Sequence, residues 1–496
     1  MESYILALDQ GTTSSRAIVF DRTGRAVAVS QKPFTQSYPQ PGWVEHDPEE
    51  IWSTQIGAAR DAVAAARISP SQIAGIGIAN QRETAVFWDR RTGNPVGPAI
   101  VWQDRRTTDI CRRLSAEGLE KTVGERTGLL LDPYFSATKI MWFLQADPGN
   151  RSRAQAGEIC FGTVDSWLLS KLTGKHLTDP SNASRTMLFD IGKGAWDKEL
   201  ASAMGVPTAM LPAVSPSSSE FGTAPAALLG AAIPVRGILG DQQAALLGQA
   251  CLEPGDVKVT YGTGCFCLLA TGAKRVRSSN RLLTTVAWDL GRGLEYALEG
   301  SVFIGGAVVQ WLRDEIRILS SAAESETMAR SVTDTAGVYF VPAFVGMGAP
   351  YWDPEVRGSI FGITRGTRQE HIVRAGLESV AFQTRDLVEA MQRDAGRTIR
   401  SVRVDGGAST NAFLMQFQSD ILGVPLVRPK TFETTALGAA FAAGLRAGVW
   451  ESRESLSGIW QADAIFEPSM PAVTRGALVE GWSAAVRAAR SFGRRA

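Results

Sequence analysis

Two short Gly/Thr turns, set half a chain apart, constrain this sequence more than any other feature. Residues 4–8 read as a buried strand that stops at Asp9-Gln10-Gly11-Thr12-Thr13. A second strand over 16–20 follows at once, then the turn Asp21-Arg22-Thr23-Gly24, then a third strand over 26–30. Strand, tight turn, strand, turn, strand predicts an antiparallel meander. About 250 residues later the order recurs: a strand over 257–260, the turn Tyr261-Gly262-Thr263-Gly264, and a return strand over 265–270. A repeat of elements with a period of half the chain predicts two similar α/β lobes facing one cleft. The 496 residues divide naturally between Gly248 and Gly255, giving lobes of 1–250 and 251–496.

Helical segments link these units. Asp47 as N-cap, Pro48 at the first helical position and Glu49-Glu50 in the first turn open a helix whose buried face carries Ile51, Ile56, Ala59 and Val63. Residues 73–79 form a further buried strand. In the second half, Thr367-Arg368-Gln369-Glu370 reads as a capping box opening a long amphipathic helix to about Met391. A strand over 401–404 then ends at Asp405-Gly406-Gly407-Ala408-Ser409, and a helix begins near Asn411. The basic tail 487–495 reads as the cation-rich end of a terminal helix.

Composition excludes several partners. With 51 basic and 50 acidic side chains the net charge is +1, so no overall field draws in nucleic acid or an anionic membrane. The N-terminus lacks the basic start and long apolar run of a signal peptide, and no stretch has the ~20 apolar residues that a bilayer requires. Five Cys, at 111, 160, 251, 265 and 267, form no disulfide framework, which predicts a reduced, cytoplasmic setting. Cys265 and Cys267 share one strand face and read as core, because no His cluster or second Cys pair completes a zinc site.

The turns point to phosphate chemistry of a particular kind. No Gly-x-x-x-x-Gly-Lys-[Ser/Thr] occurs, and Gly75-Ile-Gly77-Ile-Ala-Asn80 lacks the last glycine of a dinucleotide fingerprint. The hairpins at 10–14 and 261–264 instead offer Gly for close backbone approach, with Thr12, Thr13, Ser14 and Thr263 as donors to phosphate oxygens. Arg16, just beyond the first hairpin, is placed to grip a terminal phosphate. Asp9 is suited to Mg²⁺, through water. Asp241 follows an apolar strand and opens a helix over 242–249, where its carboxylate is stabilised in the ionised form. It reads as the reacting carboxylate, although that position equally suits an N-cap. A weak base is sufficient for phosphoryl transfer, whose loose transition state depends on positioning. Arg82-Glu83 at a strand end offers donors and acceptors to adjacent hydroxyls, with a surface ion pair as the plainer alternative. Trp102 and Tyr134 would supply a flat wall and a phenolic hydroxyl.

Taken together, these segments resemble the FGGY carbohydrate kinases of the actin/sugar-kinase/Hsp70 fold. The resemblance rests on Leu8 to Arg16, Pro41 to Pro48, Asn80 to Thr84, Trp102 to Arg105, Gly240 to Ala245, Tyr261 to Gly264, Val341 to Phe344, Ala349 to Trp352 and Asp405 to Ser409. It implies an α/β fold of two actin-like, ribonuclease H-like ATPase lobes flanking a central cleft. The Arg-Glu-Thr and Trp-Gln-Asp-Arg segments are similar to members that phosphorylate glycerol rather than xylulose or gluconate.

The implied activity is ATP-dependent phosphorylation of glycerol with Mg²⁺, giving sn-glycerol 3-phosphate and ADP, the first step of glycerol catabolism. By the same resemblance, Arg82, Glu83, Tyr134, Asp241 and Gln242 would bind the glycerol hydroxyls, with Trp102 on the carbon chain and Asp241 as base. Thr12, Thr13, Ser14, Arg16 and Thr263 would hold the phosphates. Gly306, Gln310, Gly407 and Asn411 would line the nucleotide site, and Asp9 and Asp241 would hold the metal. A homo-oligomer, dimer or tetramer, is implied, with no nucleic-acid partner and no membrane insertion. Where some members carry a basic loop for fructose 1,6-bisphosphate, this chain reads Ala227-Leu-Leu-Gly-Ala-Ala232, so strong inhibition by that effector is not expected. Control by His phosphorylation is likewise not expected, since the three His are at 46, 176 and 371.

Overall fold

The computed structural model describes residues 3–493, so Arg494 and Arg495 of the basic tail lie outside the described residues. The continuous apolar run near the N-terminus becomes the strand Tyr4–Gln10, buried on both faces: Leu6 and Leu8 point into one core and Ile5 and Ala7 into another. It pairs antiparallel with Ser14–Phe20, which pairs antiparallel with Ala26–Pro33. On its other edge it runs parallel to Ile73–Asn80, and that strand runs parallel to Ile233–Gly240. Ser218–Ala224 closes the six-stranded sheet.

The second sheet repeats this pattern with different residues. Val257–Tyr261, Cys265–Gly272 and Leu294–Val302 form the meander, and Val402–Asp405 and Leu426–Pro429 are the two parallel strands beyond it. Leu283–Asp289 and Ala462–Phe466 occupy the edges. The architectural repeat is therefore a repeat of topology, as the two Gly/Thr turns imply.

Helices complete a layered order. Pro48–Ala65, capped by Asp47 (whose side chain accepts from the Glu49 N–H at 2.9 Å), packs with Val164–Thr173 on the outer face of the first sheet. Gln369–Ala395, Ala412–Leu422 and Ala472–Gly493 cover the outer face of the second. Between the sheets lie Asp241–Gly248 and Thr434–Ala447, whose apolar residues share one core with both inner faces. Thr434–Ala447 thus belongs to the second half by sequence yet rests on the first sheet: a Cβ at Gly77 would lie 2.1 Å from the Ala439 carbonyl oxygen. Only glycine permits that approach. Cys265 and Cys267 are fully buried in the outer core of the second sheet, where burial raises both thiols above their ordinary range.

One expected helix start is corrected. The long helix begins at Gln369 with Arg368 as N-cap, and it runs to Ala395 rather than stopping near Met391. Thr367 accepts from the Thr364 N–H (2.9 Å) inside the preceding loop, so it is not free to cap. His371 Nδ1 accepts from the Arg368 N–H (3.0 Å) in place of the Glu370 reach-back that a capping box needs. Among the described residues, no helix is long and apolar enough to cross a membrane.

Candidate active site

Strand register gathers the catalytic candidates. Gln10 pairs with Asn80 and Asn80 with Gly240, so the carboxyl ends of three parallel strands share one edge. Asp9, Arg82 and Asp241 consequently emerge together, in the crevice where open α/β sheets bind ligands. Burial pushes the Asp9 carboxyl up to about 7; Arg16 opposes this, and Asp241 and Glu433 reinforce it. Asp241 is the first helical residue and Gly240 the N-cap. Its Oδ1 accepts from the Gln242 N–H (2.7 Å) and lies 3.2 Å from Arg82 Nε. Its side chain is 30% exposed against 2% for Arg82, so it is the member of the pair open to a substrate.

Arg82 and Glu83 are not a surface ion pair. Both are buried, 3.8 Å apart at Arg82 Nε, and each has a stronger partner elsewhere. Arg82 donates to both oxygens of Glu299 (2.7 and 2.8 Å), to Gln243 Oε1 (3.2 Å) and to the Tyr134 hydroxyl (3.4 Å). Glu83 Oε1 accepts from Arg185 Nε (2.6 Å), and Arg185 also donates to Glu299 Oε1 (3.1 Å). Burial opposes ionisation of Glu299, but Arg185 and Arg82 hold it down at about 2. For Glu83 burial wins over the same two guanidiniums, and its carboxyl is raised. Glu83 also adopts φ +62°, rare for a residue with a side chain, and its carbonyl accepts from Ser136 Oγ (2.9 Å).

Trp102 and Tyr134 meet edge to face, with ring centroids 5.6 Å apart. The indole Nε1 donates to Thr12 Oγ1 (3.0 Å), which ties the aromatic wall to the first hairpin. Lys139, fully buried, donates to the carbonyls of Pro133, Tyr134 and Phe135 and fixes the backbone that carries the phenol. Burial raises the Tyr134 hydroxyl, which therefore stays a neutral donor.

In the first hairpin the Gly11 N–H donates to the Ser14 carbonyl (3.0 Å), leaving Thr13 exposed at the tip. Ser14 Oγ accepts from Gln31, and Arg16 donates to Gln31 Oε1 (2.8 Å) and pairs with Glu433. The arginine expected to grip phosphate is thus held by a carboxylate at the start of Thr434–Ala447. In the second hairpin Thr263 is exposed, and its carbonyl accepts from the N–H groups of Gly305 (2.8 Å) and Ala307 (3.1 Å). Gly306 is the N-cap of Ala307–Asp314, and Gln310 lies exposed one turn along that helix. Thr260 pairs with Asp405, which sets Gly406 (φ +85°) against the Tyr261 backbone and Gly407 beside it. Asn411 caps Ala412–Leu422, accepting from the Leu414 N–H (2.9 Å). Thr263, Gly306, Gln310, Gly407 and Asn411 therefore cluster at the carboxyl edge of the second sheet.

Sequence reasoning missed Glu299, Arg185 and Lys258. Lys258 donates to Gln242 Oε1 (2.5 Å) and Thr260 Oγ1 (2.9 Å), and burial lowers its ammonium. Each of the three is fully buried; Lys258 is the one charge on its strand, and Glu299 follows the apolar Tyr296-Ala297-Leu298. That pattern was the available signal, because a fully buried charge requires a partner.

Models of the FGGY family of carbohydrate kinases match this chain at residues 4–248 for the N-terminal domain and 257–447 for the C-terminal domain. The chain is 56% identical over 494 residues to a glycerol kinase of Carboxydothermus hydrogenoformans and 57% identical over 493 residues to one of Symbiobacterium thermophilum. Each match covers 99% of both chains. The crystal structure of Plasmodium falciparum glycerol kinase with ADP superposes with a TM-score of 0.93 at 36% identity, covering 98% of each chain. Two lobes of repeated topology, a site at the shared strand edge and matches along the full length agree: the chain belongs to the FGGY family of carbohydrate kinases.

Proposed function

We propose that this protein transfers the γ-phosphoryl group of ATP to a primary hydroxyl of glycerol, giving sn-glycerol 3-phosphate and ADP. The observation that carries the reading is the convergence of Arg82, Glu83, Tyr134 and Asp241 on the edge that also bears the first hairpin. Donor and acceptor hydroxyl partners thus stand beside a phosphate-sized backbone turn, and the curated relatives are glycerol kinases.

Glu83 and Arg82 present an acceptor and a donor to neighbouring hydroxyls, Gln242 adds an amide, and Trp102 covers the carbon chain. The reacting hydroxyl oxygen bonds to the γ-phosphorus as the bridging P–O bond to ADP breaks, and the hydroxyl proton passes to Asp241. Asp241 acts late, since in a loose transition state the bond to ADP is largely broken before the attacking hydroxyl becomes acidic. Thr12, Thr13, Ser14 and Thr263 are the proposed donors to phosphate oxygens, with Arg16 released from Glu433 to join them. Gly306, Gln310, Gly407 and Asn411 are the proposed lining of the nucleotide site. Closure of the lobes would exclude water as a competing acceptor.

The residues present fit Mg²⁺. Asp9 and Asp241 are near enough for the charge of one to raise the other, which is the condition a dication relieves. Among the described residues no three carboxylate, His or Cys side chains cluster as a metal cage. This fits an ion that keeps water and substrate phosphate in its shell. Bound there, the ion would screen the phosphate charge.

The lobes are proposed to divide at 250/251, in the link between Asp241–Gly248 and Val257–Tyr261. A cytoplasmic setting is proposed from the five cysteines, all free and buried. A dimer or tetramer, carried over from the family resemblance, is the proposed working form. The deciding experiment measures ADP release with glycerol, erythritol, xylulose and gluconate as acceptors. Glycerol should give the highest kcat/KM, and a preference for any of the others would overturn the reading.

A further inference from the structure

Five charged groups alternate in sign through the acceptor site: Asp241, Arg82, Glu299, Arg185 and Glu83. The first two and the last are the proposed substrate-facing groups. The middle pair is 0% exposed and touches no space that a substrate could enter. Yet Arg82 and Glu83 each make their shortest charged contact with that middle pair.

Glu299 takes Arg82 in a two-point grip, one carboxylate oxygen to each terminal nitrogen. Such a fork-to-fork contact fixes the plane of a guanidinium as well as its position. It turns the Nε edge of Arg82 toward Asp241 and leaves one terminal nitrogen near the Tyr134 hydroxyl. Arg185 holds Glu83 from the other side through a single contact, Nε to Oε1. It occupies Oε1 only, and Oε2 has no hydrogen-bond partner among the described residues. Glu83 therefore keeps one acceptor oxygen for a ligand. Arg185 is itself locked, lying over the rings of Tyr134 (5.6 Å) and Phe135 (5.2 Å).

Stability does not account for the arrangement. Buried ion pairs are often no better than well-packed apolar residues of the same volume, because both charges lose their water. Five charges retained in one interior are better explained by what they place. Glu299 also comes from Leu294–Val302 of the second sheet, whereas Arg82 follows Ile73–Asn80 of the first. The donor of the acceptor pocket is thus oriented by the opposite lobe.

We propose that Glu299 and Arg185 are positioning residues for the acceptor: a buried counter-ion pair that holds Arg82 and Glu83 at the spacing needed by two adjacent hydroxyls of a small polyol. The inference deepens the glycerol-phosphorylating reading and rests on it. Neither residue touches substrate, and Glu299 makes the acceptor geometry depend on the spacing of the two sheets.

The test uses the full-length chain and two charge-conserving variants, Glu299→Asp and Arg185→Lys. Wild-type ADP release with and without glycerol comes first; no dependence on glycerol would defeat the functional reading itself and not this one. With that dependence present, each variant should raise KM for glycerol by about tenfold or more, the loss of one well-placed contact, while KM for ATP and ADP affinity by calorimetry stay within about twofold. Shortening either side chain breaks the grip without removing the charge, so a purely structural role predicts lower stability and an unmoved KM for glycerol. The proposal is overturned if KM for glycerol stays within about twofold of wild type in both variants. A parallel rise in KM for ATP, or loss of ADP binding through misfolding, would assign the pair to the scaffold and also overturn it.

Discussion

Gly438 on Thr434–Ala447 lies directly against Ala244 on Asp241–Gly248: a Cβ at Gly438 would stand 1.8 Å from the Ala244 carbonyl oxygen. The contact is reciprocal one turn away, where a Cβ at Gly248 would lie 1.9 Å from the Thr434 carbonyl oxygen. These two helices fill the space between the sheets, and one of them opens with Asp241. The closeness of their backbones therefore sets how far the candidate base stands from the second lobe.

Gly438→Ala must push the helices apart, since the atom it meets is backbone. Overpacking of this kind typically costs about 1–3 kcal/mol. The urea midpoint should fall accordingly; an unchanged midpoint would show that the helices can slide to make room.

Asp241→Asn should keep ADP affinity and lose turnover. Removing a general base typically costs ~10²–10⁴-fold. Calorimetric ADP binding alongside kcat checks both halves, and near-normal kcat would remove Asp241 from the chemistry.

Trp102 contributes a ring and a donor, and two variants separate them. Trp102→Ala should raise KM for glycerol with little change in kcat, the mark of lost uniform binding. Trp102→Phe keeps a ring but deletes the 3.0 Å contact to Thr12 Oγ1, worth about 1 kcal/mol. Trp102→Ala deletes that contact as well, so both variants should raise KM for ATP alike, whereas only Trp102→Ala should raise KM for glycerol strongly. Steady-state kinetics with each substrate varied in turn will show whether the hairpin depends on that contact.

Acid should unfold the protein in part through His46. Burial pushes its imidazole down to about 4 from 6.5. Its Nε2 faces Gln36 Oε1 at 2.6 Å, and Nδ1 is buried with no partner. The folded state therefore binds fewer protons than the unfolded state between these values. Stability is complete above about 6.5 and is lost as pH falls toward 4, by at most about 3 kcal/mol from this group. Urea denaturation of the wild type and His46→Gln at pH 7.5 and 4.5 measures it: the variant should show a smaller drop. Equal drops would place the acid sensitivity elsewhere, for instance at His176, whose imidazole burial also lowers.

Local patterns carried much of this molecule. The two Gly/Thr hairpins, the Asp47 cap and the strand ends at Asp9 and Asp241 are all readable from alternation, turn chemistry and capping preference, because each depends on neighbours within a few residues. The long helix starts one residue later than the Thr367 capping pattern predicts, for a related reason. Thr367 has the right side chain to cap, but a loop N–H three residues earlier claims it.

What sequence alone determined is the fold class, the place of the two Gly/Thr hairpins and the strand ends that carry the candidate groups. Tertiary structure alone decided who holds them in place. Arg82 and Glu299 are 217 residues apart, and Glu83 and Arg185 are 102 apart. A periodic pattern can mark Glu299 or Lys258 as a charge among apolar strand residues, yet it cannot say which opposite charge it meets. That depends on the register of strands within each sheet and on how two separate sheets pack across a shared pair of helices. Such long-range geometry is set by the whole core, and no local window contains it.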